Sequence, residues 1–135
     1  LPVPLVVDHM GRPDVTQPVD GPEFTGFLDF LRAKEDIWCK VTCPERLSHT
    51  GPPALGGERA AYRDVVPFAR RVVEEFPDRV LWGTDWPHPN LTDHMPDDGL
   101  LVDGIPAIAP TADLQQRLLV DNPMRLYWPE EGPRA

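Results

Sequence analysis

The chain has 135 residues, of which 41% are hydrophobic, and it carries a formal net charge of −9. This length supports one hydrophobic core, and we predict a single domain over residues 1–135. The acidic charge argues against a nucleic-acid partner, because binding to a phosphate backbone requires clustered Lys and Arg.

Neither a membrane span nor a secretion leader is predicted. The sequence lacks an apolar run of about 18 residues, and its apolar first residues lack the basic region of a signal peptide. Cys39 and Cys43 lie in a predicted strand, where four residues span about 13 Å and exceed the roughly 7 Å Cα separation of a disulfide. We therefore expect free thiols, no membrane partner and a location in the reducing cytoplasm.

The first predicted unit is a strand followed by a helix. An apolar run ends in residues 5–8, and the turn-forming Gly11 and Pro13 follow it, with His9 at the carboxyl end of the strand. Apolar side chains then repeat at the spacing of one helix face, at Phe24, Phe27, Leu28 and Leu31.

The same order recurs along the chain. Residues 37–42 predict a second strand, and after a loop rich in Pro and Gly over 44–57, residues 65–76 predict an amphipathic helix. A third strand is predicted at 80–83. Strands that alternate with helices indicate an α/β fold with a parallel sheet, whose ligand chemistry lies at the carboxyl ends of the strands.

The C-terminal part is predicted to be helical, with segments near residues 100–108 and 111–120. Asn122 followed by Pro123 predicts the N-cap and the first residue of a last short helix. An Asn side chain can accept from the free N–H groups of a helix start, and Pro loses nothing there by lacking an N–H.

His9 and Arg12 follow the first strand. The Gly-Arg-Pro turn can bring the imidazole and the guanidinium toward one pocket. The alternative is a hydrogen-bonded structural His and a surface Arg. Asp8 is expected on the opposite face from His9, because side chains alternate along a strand.

The segment 82–90 follows the third strand and combines Asp85 and His88 with two Trp and two Pro residues. In such a stiff and partly dry setting, a carboxylate can hold or deprotonate a water molecule or bind a metal. The alternative is a turn in which Asp85 only caps a helix or accepts from loop amides.

Arg46 and Ser48 follow the second strand. Arg46 can bind a carboxylate through two parallel N–H···O bonds, and Ser48 can add a hydrogen bond. The alternative makes Glu45 and Arg46 a solvated pair. Lys40, inside the strand, is expected to form a structural ion pair with a carboxylate rather than to act as a nucleophile.

A metal site is incomplete in this sequence. His9 and Asp85 supply two candidate ligands from different strands, fewer than the three protein ligands that a catalytic zinc usually takes. His49 and His94 lie in predicted loops, where we expect solvent exposure. We predict no bound metal; if one is present, His9 and Asp85 are its ligands.

Four motifs in this order resemble the amidohydrolase family 2 proteins, and the resemblance covers nearly the whole chain. They are DHMGR at 8–12, WCKVT at 38–42 with PERLS at 44–48, WGTDWPHP at 82–89 and NPMRLY at 122–127. The GTDWPH string is specific to a lactonase branch, whereas the closing motif marks the wider family.

The resemblance implies the C-terminal part of a (β/α)8 barrel of the TIM type, with its last three strands present. Such a barrel needs roughly 200 residues or more, so this chain cannot close it alone. The implied activity is hydrolysis of the lactone ring of a carboxylated 2-pyrone of the 4,6-dicarboxylate type, in bacterial breakdown of lignin-derived aromatic compounds. No cofactor is implied, although other family members use zinc.

The resemblance also implies roles for individual residues. Asp85 matches the residue that activates the attacking water, and His9 matches the one that polarises the lactone carbonyl. Arg12 and Arg46 match groups that bind the substrate carboxylates. We add Ser48 and His88 as candidate substrate-binding residues.

Three departures from the family keep alternatives open. Cys43 stands where we expect Gly or Ala, residues 54–61 predict a loop extension, and the family's His-x-His strand lies upstream of the residues present here. One alternative is a non-catalytic barrel fragment or assembly module that self-associates through exposed sheet edges. The other is a zinc-dependent decarboxylase or amidohydrolase.

Overall fold

The computed structural model describes residues 3–52 and 61–130. Three strands, β1 (Leu5–Val7), β2 (Ile37–Lys40) and β3 (Val80–Leu81), form one parallel sheet in the order β1-β2-β3. The predicted α/β fold is therefore confirmed. Three strands in this order do not close a barrel, as expected, and within the described residues β1 and β3 each have a single neighbour.

Two helices contribute buried side chains to the hydrophobic core. Helix α1 (Pro22–Ala33) and helix α3 (Val66–Glu75) cover the predicted amphipathic segments. The rings of Phe24 and Phe68 meet edge to face, with their centroids 4.9 Å apart. The predicted helical faces are the buried ones, and their most enclosed members are Phe24, Leu28, Leu31, Phe68, Val72 and Val73.

The loop after β2 begins with a short helix, α2 (Pro44–Leu47). The sequence predicted an irregular loop here, and α2 forms because Pro44 presets the first helical φ angle. The predicted loop extension at 54–61 lies outside the described residues except for Ala61.

The C-terminal part is helical, as predicted, but it is divided into short elements. Residues 98–108 form α4 (Asp98–Asp103) and α5 (Ile105–Ile108), because Pro106 has no N–H to continue the hydrogen bonding of α4. Helix α6 (Ala112–Gln116) begins at Thr111, whose hydroxyl accepts from the Leu114 amide at 3.2 Å.

The prediction that Asn122 is an N-cap is wrong. Helix α7 (Asn122–Tyr127) continues directly from a π-helical turn at Arg117–Asp121, and Asn122 has a helical backbone with φ −67° and ψ −50°. A residue inside a continuous helix has no free helix start to cap. The fully buried Asn122 side chain instead donates to the carbonyls of Pro77 at 2.8 Å and Val80 at 2.9 Å, which ties α7 to β3.

No helix among residues 3–52 and 61–130 is both long enough and apolar enough to cross a membrane.

Candidate active site

A cavity of about 240 Å³ lies at the sheet, and side chains from the ends of all three strands line it. This placement agrees with the expectation that ligand chemistry collects at the carboxyl ends of parallel strands. The site residues His9 and Asp85 lie in its wall. The full lining is Asp8, His9, Lys40, Thr42, Leu81, Trp82, Gly83, Asp85, Pro123 and Tyr127.

His9 is held by a hydrogen bond from the neighbouring strand. The chain leaves β1 through a 3-10 turn at Asp8–Gly11, which contains His9. The imidazole Nδ1 lies 2.6 Å from the hydroxyl of the buried Thr42. Within the described residues Nε2 has no such partner, so this nitrogen is available for a ligand in the cavity.

Asp85 follows β3 and is paired with Arg46. The Arg46 Nη2 atom lies 3.2 Å from Asp85 Oδ2, and the two side chains are 19% and 26% exposed. Arg46 also donates to the carbonyl of Pro89, in the same loop as Asp85. Two residues that the sequence placed on separate strand ends are therefore joined in one ion pair.

Cys43 completes a group of three potential metal ligands with His9 and Asp85. One donor atom from each of these residues lies within 4.8 Å of the others. Burial, together with the neighbouring Asp85 carboxylate, raises the pKa of the Cys43 thiol. The sequence analysis treated Cys43 as a free thiol and as a departure from the family, although its position just beyond β2 indicated that it could lie beside His9 and Asp85.

The same three residues have left-handed backbones. The φ angles are 53° at His9, 57° at Cys43 and 63° at Asp85. This conformation costs a residue other than glycine roughly 1–2 kcal/mol. Of the Gly or Ala expected at position 43, only Gly adopts this backbone without cost, and a cluster of such residues at three strand ends is typical of a functional site.

Lys40 forms the predicted structural ion pair. Its Nζ lies 2.8 Å from Asp8 Oδ1. This contact lowers the pKa of Asp8 and raises that of Lys40. The expectation that Asp8 and His9 lie on opposite faces is wrong, because the 3-10 turn begins at Asp8 and strand alternation no longer applies, so both residues line the cavity.

Arg12 and Ser48 lie outside the cavity wall. Arg12 is exposed and borders a separate recess of about 90 Å³ that also includes Glu23. Ser48 donates to Asp64 Oδ1 at 2.6 Å. Their substrate-binding roles stay predictions, and the contact with Asp64 shows that Ser48 supports its own loop.

His88 is buried rather than exposed to the cavity. It is 3% exposed and lies between Glu45 and Asp98. The interpretation of Glu45 as part of a solvated pair is wrong, since its side chain is 0% exposed. Direct contact of His88 with a substrate stays a prediction, and its burial favours a supporting role.

The remaining candidates have local roles. Both cysteines are free thiols, as predicted, and burial raises the pKa of Cys39 to about 12. His49 is exposed, as expected. His94 is half-buried rather than exposed, because its Nε2 lies 3.2 Å from the hydroxyl of the buried Tyr62.

Comparison with known protein families gives one match over almost the whole chain. Residues 1–128 match the family described as Amidohydrolase. The 2-pyrone-4,6-dicarboxylate hydrolase of Comamonas testosteroni is 79% identical over 131 residues, which are 97% of this chain and 43% of that protein. The 4-sulfomuconolactone hydrolase of Hydrogenophaga intermedia is 42% identical over 129 residues, covering 94% of this chain and 40% of that protein.

Solved structures agree with this relationship. A candidate 2-pyrone-4,6-dicarboxylic acid hydrolase from Pseudomonas putida has a TM-score of 0.67 and 30% identity, over 92% of this chain and 42% of that chain. A protein of Agrobacterium tumefaciens has a TM-score of 0.70 and 30% identity, over 90% of this chain and 40% of that chain. The chain thus spans about two fifths of the length of the relatives that it matches.

Proposed function

The chain belongs to the amidohydrolase family, and we propose that the intact protein hydrolyses the lactone ring of a carboxylated 2-pyrone of the 4,6-dicarboxylate type. One observation carries the proposal: His9 and Asp85, on different strands, have donor atoms within 4.8 Å of each other beside the Arg46 guanidinium. This proximity supports the proposed roles of Asp85 as general base, His9 as carbonyl-polarising group and Arg46 as carboxylate-binding group. The proposal includes a cytoplasmic location and a role in aromatic-compound breakdown.

Asp85 is the proposed general base. Its carboxylate takes a proton from a water molecule, and the oxygen of that water adds to the lactone carbonyl carbon. The ring C–O bond then breaks, which leaves a new carboxylic acid and an enol oxygen that accepts a proton. The reaction consumes one water and needs no oxidant or reductant.

His9 is the proposed electrophilic group. When the Thr42 hydroxyl donates to Nδ1, the neutral ring carries its proton on Nε2. That Nε2–H can donate to the carbonyl oxygen, where negative charge develops as water adds. Thr42 thus supports the tautomer that the reaction needs.

Arg46 and Arg12 are the proposed binding groups for the two substrate carboxylates. Arginine suits this role because its planar guanidinium can donate two parallel hydrogen bonds to one carboxylate. A substrate carboxylate at Arg46 competes with Asp85 for the same donor. Binding of a charged substrate therefore loosens the ion pair that holds the general base.

A zinc-dependent decarboxylase or amidohydrolase is the second candidate, and the cluster of His9, Cys43 and Asp85 favours it. Nitrogen, sulfur and carboxylate oxygen are the donor types that zinc takes in proteins, and three protein ligands are usual at catalytic sites. Such a zinc ion would polarise the carbonyl and lower the pKa of a bound water. The buried thiol must lose its proton to bind, which the raised pKa of Cys43 opposes.

The deciding experiment uses the intact protein with 2-pyrone-4,6-dicarboxylate. Loss of the pyrone absorbance measures ring opening, and elemental analysis of the same sample measures bound metal. We expect ring opening that a chelator does not abolish. Absence of turnover contradicts the lactonase proposal, whereas stoichiometric zinc with loss of activity on chelation supports the second candidate.

Self-association through the sheet edges stays a separate proposal. Both β1 and β3 have an unpaired edge within the described residues, and Val3 and Leu5 at β1 are exposed. Exposed strand edges of this kind can pair with another chain. Size-exclusion chromatography of the isolated chain measures this, and a compact monomer contradicts it.

A further inference from the structure

Three charged or ionisable side chains outside the cavity wall meet at His88; two of them, Glu45 and His88, are buried, and Asp98 is partly exposed. His88, in the loop after β3, has its Nε2 atom 2.9 Å from Asp98 Oδ1, at the start of α4. Its Nδ1 atom lies 3.6 Å from Glu45 Oε1, in α2 after strand β2. We call Glu45, His88 and Asp98 the His88 bridge, because together they connect three segments of the chain.

Glu45 is the unusual member of this bridge. Both of its carboxylate oxygens are buried and lack a hydrogen-bond partner among the described residues, as does His88 Nδ1. A carboxylate without partners is costly to bury. His88 Nδ1 faces Glu45, and closing the gap by about 0.6 Å brings the two atoms into ordinary hydrogen-bond distance.

The bridge is adjacent to the ion pair of the candidate active site. Glu45 precedes Arg46 in the chain, so movement of Glu45 moves the Arg46 backbone. The His88 backbone N–H donates to the carbonyl of Asp85 at 2.8 Å. Glu45 is therefore connected to Arg46 by a peptide bond, and His88 is connected to Asp85 by a backbone hydrogen bond.

We propose that His88 is a positioning residue, which holds the loops after β2 and β3 together through Glu45 and so sets the placement of Arg46 against Asp85. This inference rests on the proposed lactonase function for its kinetic consequences. It assigns His88 no contact with the substrate, in agreement with a side chain that is 2% exposed. Asp98 fixes the orientation of the ring by accepting from Nε2–H, and a ring that also donates from Nδ1 to Glu45 carries a proton on both nitrogens.

Two substitutions test the His88–Glu45 contact and the His88–Asp98 contact separately. In His88→Asn the side-chain amide nitrogen lies near the position of Nδ1 and can donate to Glu45. In His88→Gln it lies near the position of Nε2 and can donate to Asp98, but the Glu45 contact is lost. Only the contact with Glu45 connects His88 to Arg46. We therefore expect His88→Gln to impair catalysis more than His88→Asn, which keeps a donor to Glu45.

The kinetic test uses the intact protein with a dicarboxylated pyrone and with an uncharged lactone. A displacement of about 1 Å at a reacting group can cost roughly 100-fold in rate. For His88→Gln we expect a rise in KM of about 10- to 100-fold for the dicarboxylate, which needs Arg46, and little change in KM for the uncharged lactone. A purely structural role would instead lower the active fraction equally for both substrates.

Asp93→Asn is the matched control, since it removes an exposed carboxylate from the same loop without touching His88. We expect wild-type kinetics from it. Glu45→Gln is a second variant that keeps the size of the Glu45 side chain but removes its charge, so the Glu45 half of the bridge remains testable if His88→Gln does not fold. We expect it to raise KM for the dicarboxylate more than for the uncharged lactone, and equal effects on both overturn the proposal.

A second measurement does not depend on activity. With 15N-labelled histidine, the His88 ring resonances should shift in Glu45→Gln and stay unchanged in Asp93→Asn. Unchanged ring resonances in Glu45→Gln, or equal KM effects on both substrates in His88→Gln, overturn the proposal. If the wild-type protein opens no lactone, the proposed function fails, whereas the resonances still decide whether the bridge exists.

Discussion

Arg46 Nη2 lies 3.2 Å from Asp85 Oδ2, and 39 residues separate the two along the chain. The pair joins the group proposed to bind a substrate carboxylate with the group proposed to activate water. A substrate that carries a carboxylate can replace Asp85 at the guanidinium, while an uncharged lactone cannot. The arrangement therefore predicts that charge on the substrate affects turnover as well as binding.

Substitution of Arg46 tests carboxylate recognition. A hydrogen bond to a charged group contributes about 1.5–3 kcal/mol, so Arg46→Met should raise KM for the dicarboxylate by roughly 10- to 100-fold. We expect a smaller effect on an uncharged lactone and the same pattern for Arg12→Met. Arg70→Met removes an exposed arginine whose ion-pair partner, among the residues that the structure describes, is Glu74 on its own helix, and it should leave turnover of both substrates unaffected. Equal losses on the two substrates contradict the assignment.

Substitution of Asp85 tests the general base. Asp85→Asn keeps the shape of the side chain but removes its ability to take a proton from water, so kcat should fall by at least roughly 100-fold. The dissociation constant of the dicarboxylate, measured by calorimetry, should stay within a few-fold of the wild-type value. Normal turnover by this variant rules out Asp85 as the base.

Substitution of Thr42 tests the tautomer of His9. Thr42→Val keeps the size of the side chain but removes the hydroxyl 2.6 Å from Nδ1. A neutral hydrogen bond contributes about 0.5–1.5 kcal/mol, which predicts a fall in kcat of up to about tenfold. Thr42→Ser restores the hydroxyl and should recover most of the rate. If Val and Ser variants behave alike, the hydroxyl does not orient the ring.

Asp64 gives a prediction for acid stability. Burial tends to raise its pKa, but hydrogen bonds from Ser48, His49 and Thr50 outweigh burial, so the pKa lies below the ordinary value of an aspartic acid. A carboxyl with a lowered folded-state pKa stabilises the protein above its unfolded pKa, and this contribution is lost as the pH falls through the folded value.

The free energy of unfolding of Asp64→Asn, measured with urea, should therefore lie furthest below that of the wild type near neutral pH. The difference should shrink as the pH falls below about 4. The exposed Asp93→Asn is the control and should follow the wild type across this range. A difference that does not change with pH shows that the Asp64 contacts do not depend on its charge.

Asn122 gives a prediction for the attachment of α7. Asn122→Ala leaves the Pro77 and Val80 carbonyls without their side-chain donor, which should lower the free energy of unfolding by about 2–4 kcal/mol. Asn122→Asp keeps the shape but replaces the donor with an acceptor, and it should be at least as destabilising. Gln116→Ala, which loses only an exposed contact to Asp121, serves as the control. Similar stability of all three variants contradicts the anchoring role.

The alternation of strands and helices could be predicted from the sequence because it depends on local periodicity. The buried faces of α1 and α3 follow from apolar spacing alone, and the end of each strand follows from turn-forming residues. Parallel pairing then places the strand ends at one edge of the sheet. Strand pairing thus makes His9 and Asp85 candidates for one site, whereas their catalytic roles are implied only by the family resemblance.

The prediction from side-chain alternation was wrong at Asp8, where the backbone is no longer a strand. It placed Asp8 away from His9, but the 3-10 turn begins at Asp8 and brings both to the cavity. Periodicity describes regular backbone only, so it carries no information about side-chain directions in a left-handed or 3-10 segment.

Contacts between distant parts of the chain were decided by the tertiary structure. The Thr42 contact of His9, the Arg46 contact of Asp85 and the Val80 contact of Asn122 span 33, 39 and 42 residues. No local pattern encodes such a partner, because the partner depends on which loops the packed helices bring together. The sequence by itself determined the kinds of groups at the strand ends, and the fold decided which of them meet, since only the packed core sets the distances between loops.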